Sequence, residues 1–332
     1  MGVKLKDIVH GREIELKDLA GKSIAVDAFN WIYQFLTTIR LADGSYLTDK
    51  EGNITTHLNG LFYRSMNLLI NDIKPSFVFD GQAPKFKKAT NLERARVREE
   101  ARNLAEQAKT EEERAMYMRR AVKIDDYIIS SSKELLGLMG IPVIQAPAEG
   151  EAQAAQINSK GLVYGVASQD YDTLLFGANK LIRNLNVSNK KKLKNKGITA
   201  NVSPEIIDNK SYSESLGLSR EQLIMIALFV GTDYNDGVKG IGPKKALAIV
   251  KKENIQDMMK TYDFGSSYDI KEVFEYFMHP NVKEISEAPV ATSLQTEKLI
   301  DFLCNKHSFE EDRIRSYLDK AKKQEGSLFN YG

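Results

Sequence analysis

Four short apolar runs in this chain each end in acid. "SIAVDA" closes on Asp27, "SFVFDG" on Asp80, "IPVIQAPAEGE" on Glu149 and Glu151, and "LVYGVASQDYD" on Asp170 and Asp172. Each run has the length and the β-branched and aromatic content of a strand. The stretches between them, such as "NGLFYRSMNLLINDI" and "SSKELLGLMG", carry a helical period, and Gly140 followed by Pro142 marks a stop. Alternating strands and helices predict an α/β fold, a mostly parallel central sheet with helices on both faces. Ligands of such sheets bind beyond the carboxyl ends of the strands, where all six acids fall.

Taken singly, these acids have ordinary explanations. Glu149 and Glu151 follow Pro147 at a helix start, where the macrodipole favours negative charge. Asp170 and Asp172 could be loop residues. Asp27 and Asp80 are harder to dismiss, because a carboxylate ending an apolar strand needs a partner. Acids at every strand end repel one another, and the pattern calls for a cation. The four histidines (His10, His57, His279, His307) are scattered and Cys304 is the one cysteine, which argues against zinc and against a disulfide framework. Carboxylates alone select hard ions, Mg²⁺ or Mn²⁺. Six acids exceed the needs of one Mg²⁺, whereas two ions about 3.5–4 Å apart would clamp the attacking and leaving oxygens of a phosphoryl displacement. The expected chemistry is phosphodiester hydrolysis by a two-metal mechanism.

Residues 83–132 interrupt the alternation with a stretch that is helical in propensity but poor in large apolar residues. Within it Lys87 and Arg94, seven residues apart, share a helix face just downstream of Asp80, where cations could hold a phosphate diester. Further on, "EQLIMIALFVGTDYNDGVKGIGPKKALAIVKK" reads as helix, glycine hairpin, helix. Gly240 and Gly242, with Pro243, Lys244 and Lys245 behind them, resemble a helix-hairpin-helix element that binds phosphate through backbone N–H groups. The lysine-rich run at 190–196 could add to that footprint. The net charge is only +2, so the local distribution matters more than the total. No apolar run of about 18 residues and no secretory leader is seen, so neither membrane insertion nor secretion is expected, and the location should be intracellular.

In this order the motifs resemble the flap endonuclease family, the structure-specific nucleases of replication junctions. "MGVKL", "VDAFNWIYQF", "TTHLNGLFYR", "FVFDGQAPKFKKATNLERA", "APAEGEAQAA", "ASQDYDTLLFG" and "GTDYNDGVKGIGPKKA" carry the resemblance. The short chain without a long basic tail looks like an archaeal member, which implies a cytoplasmic, nucleoid-associated location. The resemblance implies metal ligation by Asp27, Asp80, Glu149, Glu151, Asp170, Asp172 and also Asp233. It implies that Tyr33 stacks on DNA, that Lys87 and Arg94 contact the scissile phosphate, and that Thr55 and Arg64 meet the upstream duplex and its 3′ end. The hairpin with Gly240, Gly242, Lys244 and Lys245 would hold duplex DNA together with a K⁺ ion. The chain would be a single nuclease domain: nuclease regions 1–82 and 133–218, a helical arch 83–132, a hairpin region 219–255, a helical region 256–320 and a tail 321–332.

The family's tail usually carries a sliding-clamp box, QxxLxxFF in outline. Here "QEGSLFNYG" places Ser327 and Asn330 at the apolar and first aromatic positions, leaving Gln324, Leu328, Phe329 and Tyr331 in a compressed spacing. Three other readings stay open: a related 5′ exonuclease or junction resolvase, a haloacid dehalogenase-type phosphatase because "DYDTL" is similar to a DxDxT signature, and a non-catalytic DNA-binding protein.

Overall fold

The computed structural model describes residues 2–186, 190–192 and 199–323. Its main sheet has seven strands in the order β1-β9-β6-β5-β2-β3-β4. They are β1 (Arg12–Glu13), β2 (Ser23–Asp27), β3 (Lys74–Phe79), β4 (Val143–Gln145), β5 (Gly165–Ala167), β6 (Lys180–Arg183) and β9 (Glu205–Asp208), while β7 (Lys190–Lys192) and β8 (Thr199–Asn201) pair apart from it. The strands β6, β5, β2, β3 and β4 run parallel, and β9 and β1 add an antiparallel edge. From β2 the chain steps outward through β3 to β4, then returns to place β5 on the other side of β2. The order therefore reverses between β2 and β5, the topological switch point of a doubly wound sheet.

Strand alternation sends side chains to two cores. Ala25, Val78 and Val166 face a cluster built with α6 (Gly150–Ser159), α7 (Asp172–Leu175), α9 (Arg220–Val230), α10 (Pro243–Val250), α11 (Ile255–Thr261) and α12 (Ile270–Met278). Ile24, Val26, Phe77 and Phe79 face the other cluster, built with α1 (Ala28–Thr38), α2 (Thr56–Ile70), α5 (Asp126–Leu138), α13 (Thr296–Ile300) and α14 (Glu311–Lys323). A short helix α8 (Asn209–Leu216) follows β9. Covering both faces explains why β2 and β3 read as continuous apolar runs rather than alternating ones.

Between β3 and β4 the chain forms a 3-10 turn at Lys85–Lys87, then α3 (Lys88–Glu106) and α4 (Glu111–Arg120). Only Ala101 and Ala105 of α3 and Ala115 of α4 are buried, as the charged composition predicts. The stretch 83–132, expected to form the arch, also holds the first residues of a further helix. Residues 126–132 begin α5, where Ile128, Ser132, Leu135 and Leu136 supply a buried helical face to the core. Their i, i+4, i+7 spacing was masked by the polar "SSSKE" run, whose Ser131 and Ser132 hydroxyls satisfy themselves on carbonyls one turn back.

Candidate metal centre and DNA interface

The strand ends at the switch point deliver the acids to one place. Asp27 closes β2 and caps α1, its Oδ1 accepting from Asn30 N–H at 3.0 Å. Asp80 follows β3, and its Oδ1 accepts from Gly150 N–H at 2.8 Å, so the start of α6 is capped from another strand. The Glu149 side chain, although it precedes that helix, makes no cap bond. Instead Lys87 Nζ donates to its Oε1 and Tyr234 Oη to its Oε2, both at 2.8 Å. The helix-start explanation of Glu149 therefore does not account for where its carboxylate goes. Glu151 Oε1 accepts from Ser168 Oγ at 2.8 Å and Thr173 Oγ1 at 3.2 Å. Ser168 also reaches Asp27 Oδ2 at 3.2 Å.

Asp170 and Asp172, mid-chain, are held by residues 2 and 3. Gly2 N–H donates to Asp170 Oδ1 at 3.0 Å and Val3 N–H to Asp172 Oδ1 at 2.8 Å. A Cβ at Gly2 would lie 2.6 Å from that of Asp170, so only glycine permits this approach. Gly150 is constrained likewise, since a Cβ there would lie 2.6 Å from Asp80 Oδ1. Asp233 comes from the loop after α9, where Gly231 ends the helix at φ +101° and Asn235 ties the turn to the Leu228 and Phe264 carbonyls.

The electrostatics of these groups are those of crowded, buried carboxylates. Burial, followed by the charge of Asp80, pushes the Asp27 carboxyl up to about 8. Burial and Glu149 push Asp80 up to about 6. Burial raises Asp172 to about 7 against the opposing Val3 hydrogen bond, with Asp233, Asp170 and Glu149 adding to the rise. Glu151 is raised by burial and by Asp170, Asp27 and Asp172. Such shifts arise when charged groups are packed together without a counter-ion, and a bound divalent cation reverses them. Two protein cations do reach the cluster. Arg94 grips Asp233 with Nη2 at 2.7 and 2.8 Å from its two oxygens. Lys87 lies 2.8 Å from Glu149 and 3.5 Å from Asp233. Burial opposes the Lys87 charge, but Glu149 and Asp233 outweigh it and hold the ammonium above its usual range.

The donor set is all oxygen, as hard divalent ions require. Among the described residues no three acids are already gathered into a single-ion cage. That arrangement still suits Mg²⁺, which usually keeps several waters and takes one or two carboxylates plus substrate phosphate oxygens.

The remaining expected residues lie in several places. Tyr33 projects from α1 with 48% of its surface exposed. Thr55 is buried just before α2 and Arg64 is half-buried within it. Gly240 adopts a left-handed φ of +80° and Gly242 caps α10, with Pro243 at its first turn. Lys244 and Lys245 are exposed there, and Lys245 also donates to the Gly240 carbonyl at 3.1 Å. Gln324, Leu328, Phe329 and Tyr331 lie outside the described residues, as does part of the 190–196 run. Sequence reasoning missed the support from Gly2, Val3, Ser168, Thr173 and Tyr234. "MGVKL" was the only signal for the first two.

A doubly wound sheet with a carboxylate cluster at its switch point, met by Lys87 and Arg94 from the helical segment after β3, has the features of a nuclease. Comparison with known proteins narrows the class. The "XPG N-terminal domain" matches residues 1–101 and the "XPG I-region" residues 140–233. Flap endonuclease 1 of Thermococcus onnurineus is 47% identical over 97% of this chain and 95% of its own length. The flap endonuclease-1 structure from Methanococcus jannaschii superposes with a TM-score of 0.76 at 36% identity, covering 97% of this chain and 98% of that one. The catalytic core of Rad2 in complex with DNA substrate gives 0.71 at 26%, covering 97% and 100%. The chain belongs to the flap endonuclease family, and its activity is that of a structure-specific DNA nuclease. The phosphatase reading falls away with this family assignment. No helix among the described residues is long and apolar enough to cross a membrane.

Proposed function

We propose that Asp27, Asp80, Glu149, Glu151, Asp170, Asp172 and Asp233 hold two Mg²⁺ ions, with Mn²⁺ able to substitute, and that cleavage falls next to the junction of a 5′ single strand with duplex. The observation carrying this reading is the buried cluster of mutually repelling acids faced by Lys87 and Arg94. Two ions would supply activation of the attacking water and neutralisation of the leaving oxygen. The protein's own part is to orient and to stabilise. Lys87 and Arg94 exchange their carboxylate partners for the scissile phosphate and stabilise the charge that accumulates on it. Tyr33 stacks on the nucleotide beside the cut, and Arg64 and the segment around Thr55 meet the upstream duplex.

The hairpin between α9 and α10 holds the downstream backbone through Gly240, Gly242, Lys244 and Lys245, with a K⁺ ion on its turn. These parts act as one nuclease domain, the arch admitting the 5′ strand. At low free Mg²⁺, cleavage of an end-labelled 5′-flap duplex should rise with the square of the ion concentration. A first-power dependence down to the detection limit would contradict the two-ion reading.

The tail is assigned to a sliding clamp through Gln324, Leu328, Phe329 and Tyr331, with the affinity carried mainly by its two aromatics. A chain ending after Lys323 should then keep its basal rate and lose stimulation by the cognate clamp. Equal stimulation of both lengths would remove the tail from the assignment.

A further inference from the structure

Tyr234 neighbours Asp233 in sequence, but its side chain serves a different acid. The buried hydroxyl donates to Glu149 Oε2 at 2.8 Å, while Lys87 takes Oε1 at the same distance. The carboxylate is thus held at both oxygens by side chains from two distant parts of the chain. The Tyr234 ring is itself fixed: it lies 6.3 Å from Phe86, 5.6 Å from Tyr276 and 5.1 Å from Phe277, centroid to centroid. Phe86 immediately precedes Lys87 and packs against Tyr268 at 5.1 Å and Tyr276 at 5.6 Å. Tyr268 Oη closes the cage by donating to the Lys85 carbonyl at 2.7 Å. One aromatic cage therefore orients the Tyr234 hydroxyl and also anchors the turn that carries Lys87.

The two donors differ in what they can do next. Lys87 sits on a flexible stem at the foot of the arch, and an arriving phosphate competes for it. Tyr234 sits on a ring packed on several sides and has nowhere to go. We propose that Tyr234 is a positioning residue for flap cleavage: it fixes the rotation of the Glu149 carboxylate, so that when Lys87 leaves for phosphate the carboxylate stays turned toward the ion site. The inference rests on Glu149 being a metal ligand and Lys87 a phosphate contact, as proposed above.

Tyr234→Phe tests it, because the ring and its cage contacts are kept and one hydroxyl is lost. Calorimetric titration of the DNA-free protein with Mn²⁺ should show affinity weakened on the order of 10-fold, the usual effect of removing a group that orients a metal ligand. The single-turnover rate at saturating flap DNA should fall by a similar factor, with the DNA Kd unchanged. In a Glu149→Gln background the same substitution should add no further loss of Mn²⁺ affinity. Tyr276→Phe removes a buried hydroxyl from the same cage that has no partner among the described residues, and it should leave Mn²⁺ affinity where it is.

Wild-type Mn²⁺ affinity and rate in Tyr234→Phe would overturn the proposal, as would an undiminished loss in the Glu149→Gln background or an equal loss in Tyr276→Phe. If Glu149→Gln itself leaves Mn²⁺ binding intact, the metal-site reading fails and the positioning role with it. If Glu149→Gln weakens binding and Tyr234→Phe does not, only the positioning role is lost.

Discussion

Asp172→Asn should lower cleavage of a 5′-flap substrate by on the order of 10³ or more while leaving DNA affinity nearly intact. The asparagine keeps an oxygen to accept from Val3 N–H, the 2.8 Å bond that now holds Asp172, so the local fold should survive. What it loses is the charge that a second ion needs. The phosphate grip lies elsewhere, on the arch and the glycine hairpin, and binding is expected to persist. Ca²⁺, larger and looser in its geometry, should likewise support binding without turnover. Removing one negative charge from a buried group of like charges should also raise the Tm of the ion-free protein by a few degrees. Near-normal cleavage by this variant would sink the assignment of Asp172, and a lowered Tm would show that its charge is compensated in the free protein.

Lys87→Ala and Arg94→Ala should each cost on the order of 10² or more in single-turnover rate, with little change in substrate affinity. Neither side chain is a loose surface cation: Lys87 is 15% exposed and Arg94 36%, and both converge on Asp233. Their loss removes positive charge next to the acids, so divalent-ion binding in the absence of DNA should hold or tighten. This separates them from structural supports of the metal site, whose loss would weaken it. If affinity for DNA collapsed while bound complexes still reacted at the normal rate, the two residues would be phosphate anchors and not stabilisers of the reacting charge.

The part of this site that follows strands was legible before any coordinates. Apolar runs that end in acid have few other uses in a parallel sheet, and Asp27, Asp80, Asp170 and Asp172 stand at or just beyond the ends of β2, β3 and β5. The hairpin was legible too, because a left-handed turn followed by a proline-led helix needs the glycines and proline that "GIGPKK" provides. Asp233 was not readable from periodicity: it sits in an irregular loop after α9, and only the resemblance to relatives brought it in. The donors that hold the acids were equally hidden. Ser168 and Thr173 are ordinary residues near a loop, and a backbone N–H such as that of Val3 leaves no mark in sequence. Tyr234 reads as one more aromatic until its ring is seen against Phe86 and Phe277.

The grip of Gly2 and Val3 on Asp170 and Asp172 also sets the order in which the molecule can be made. These bonds span 168 and 169 residues, and β1 near the start pairs only with β9 beyond residue 200. Contacts of such separation close slowly, and during synthesis they cannot close until more than half of the chain has left the ribosome. The first residues to emerge must wait for partners made much later. Asp233, which pairs with Lys87 and Arg94, comes later still, after about seven-tenths of the chain. A product stalled before residue 170 would lack the partners that Gly2 and Val3 hold in the finished fold.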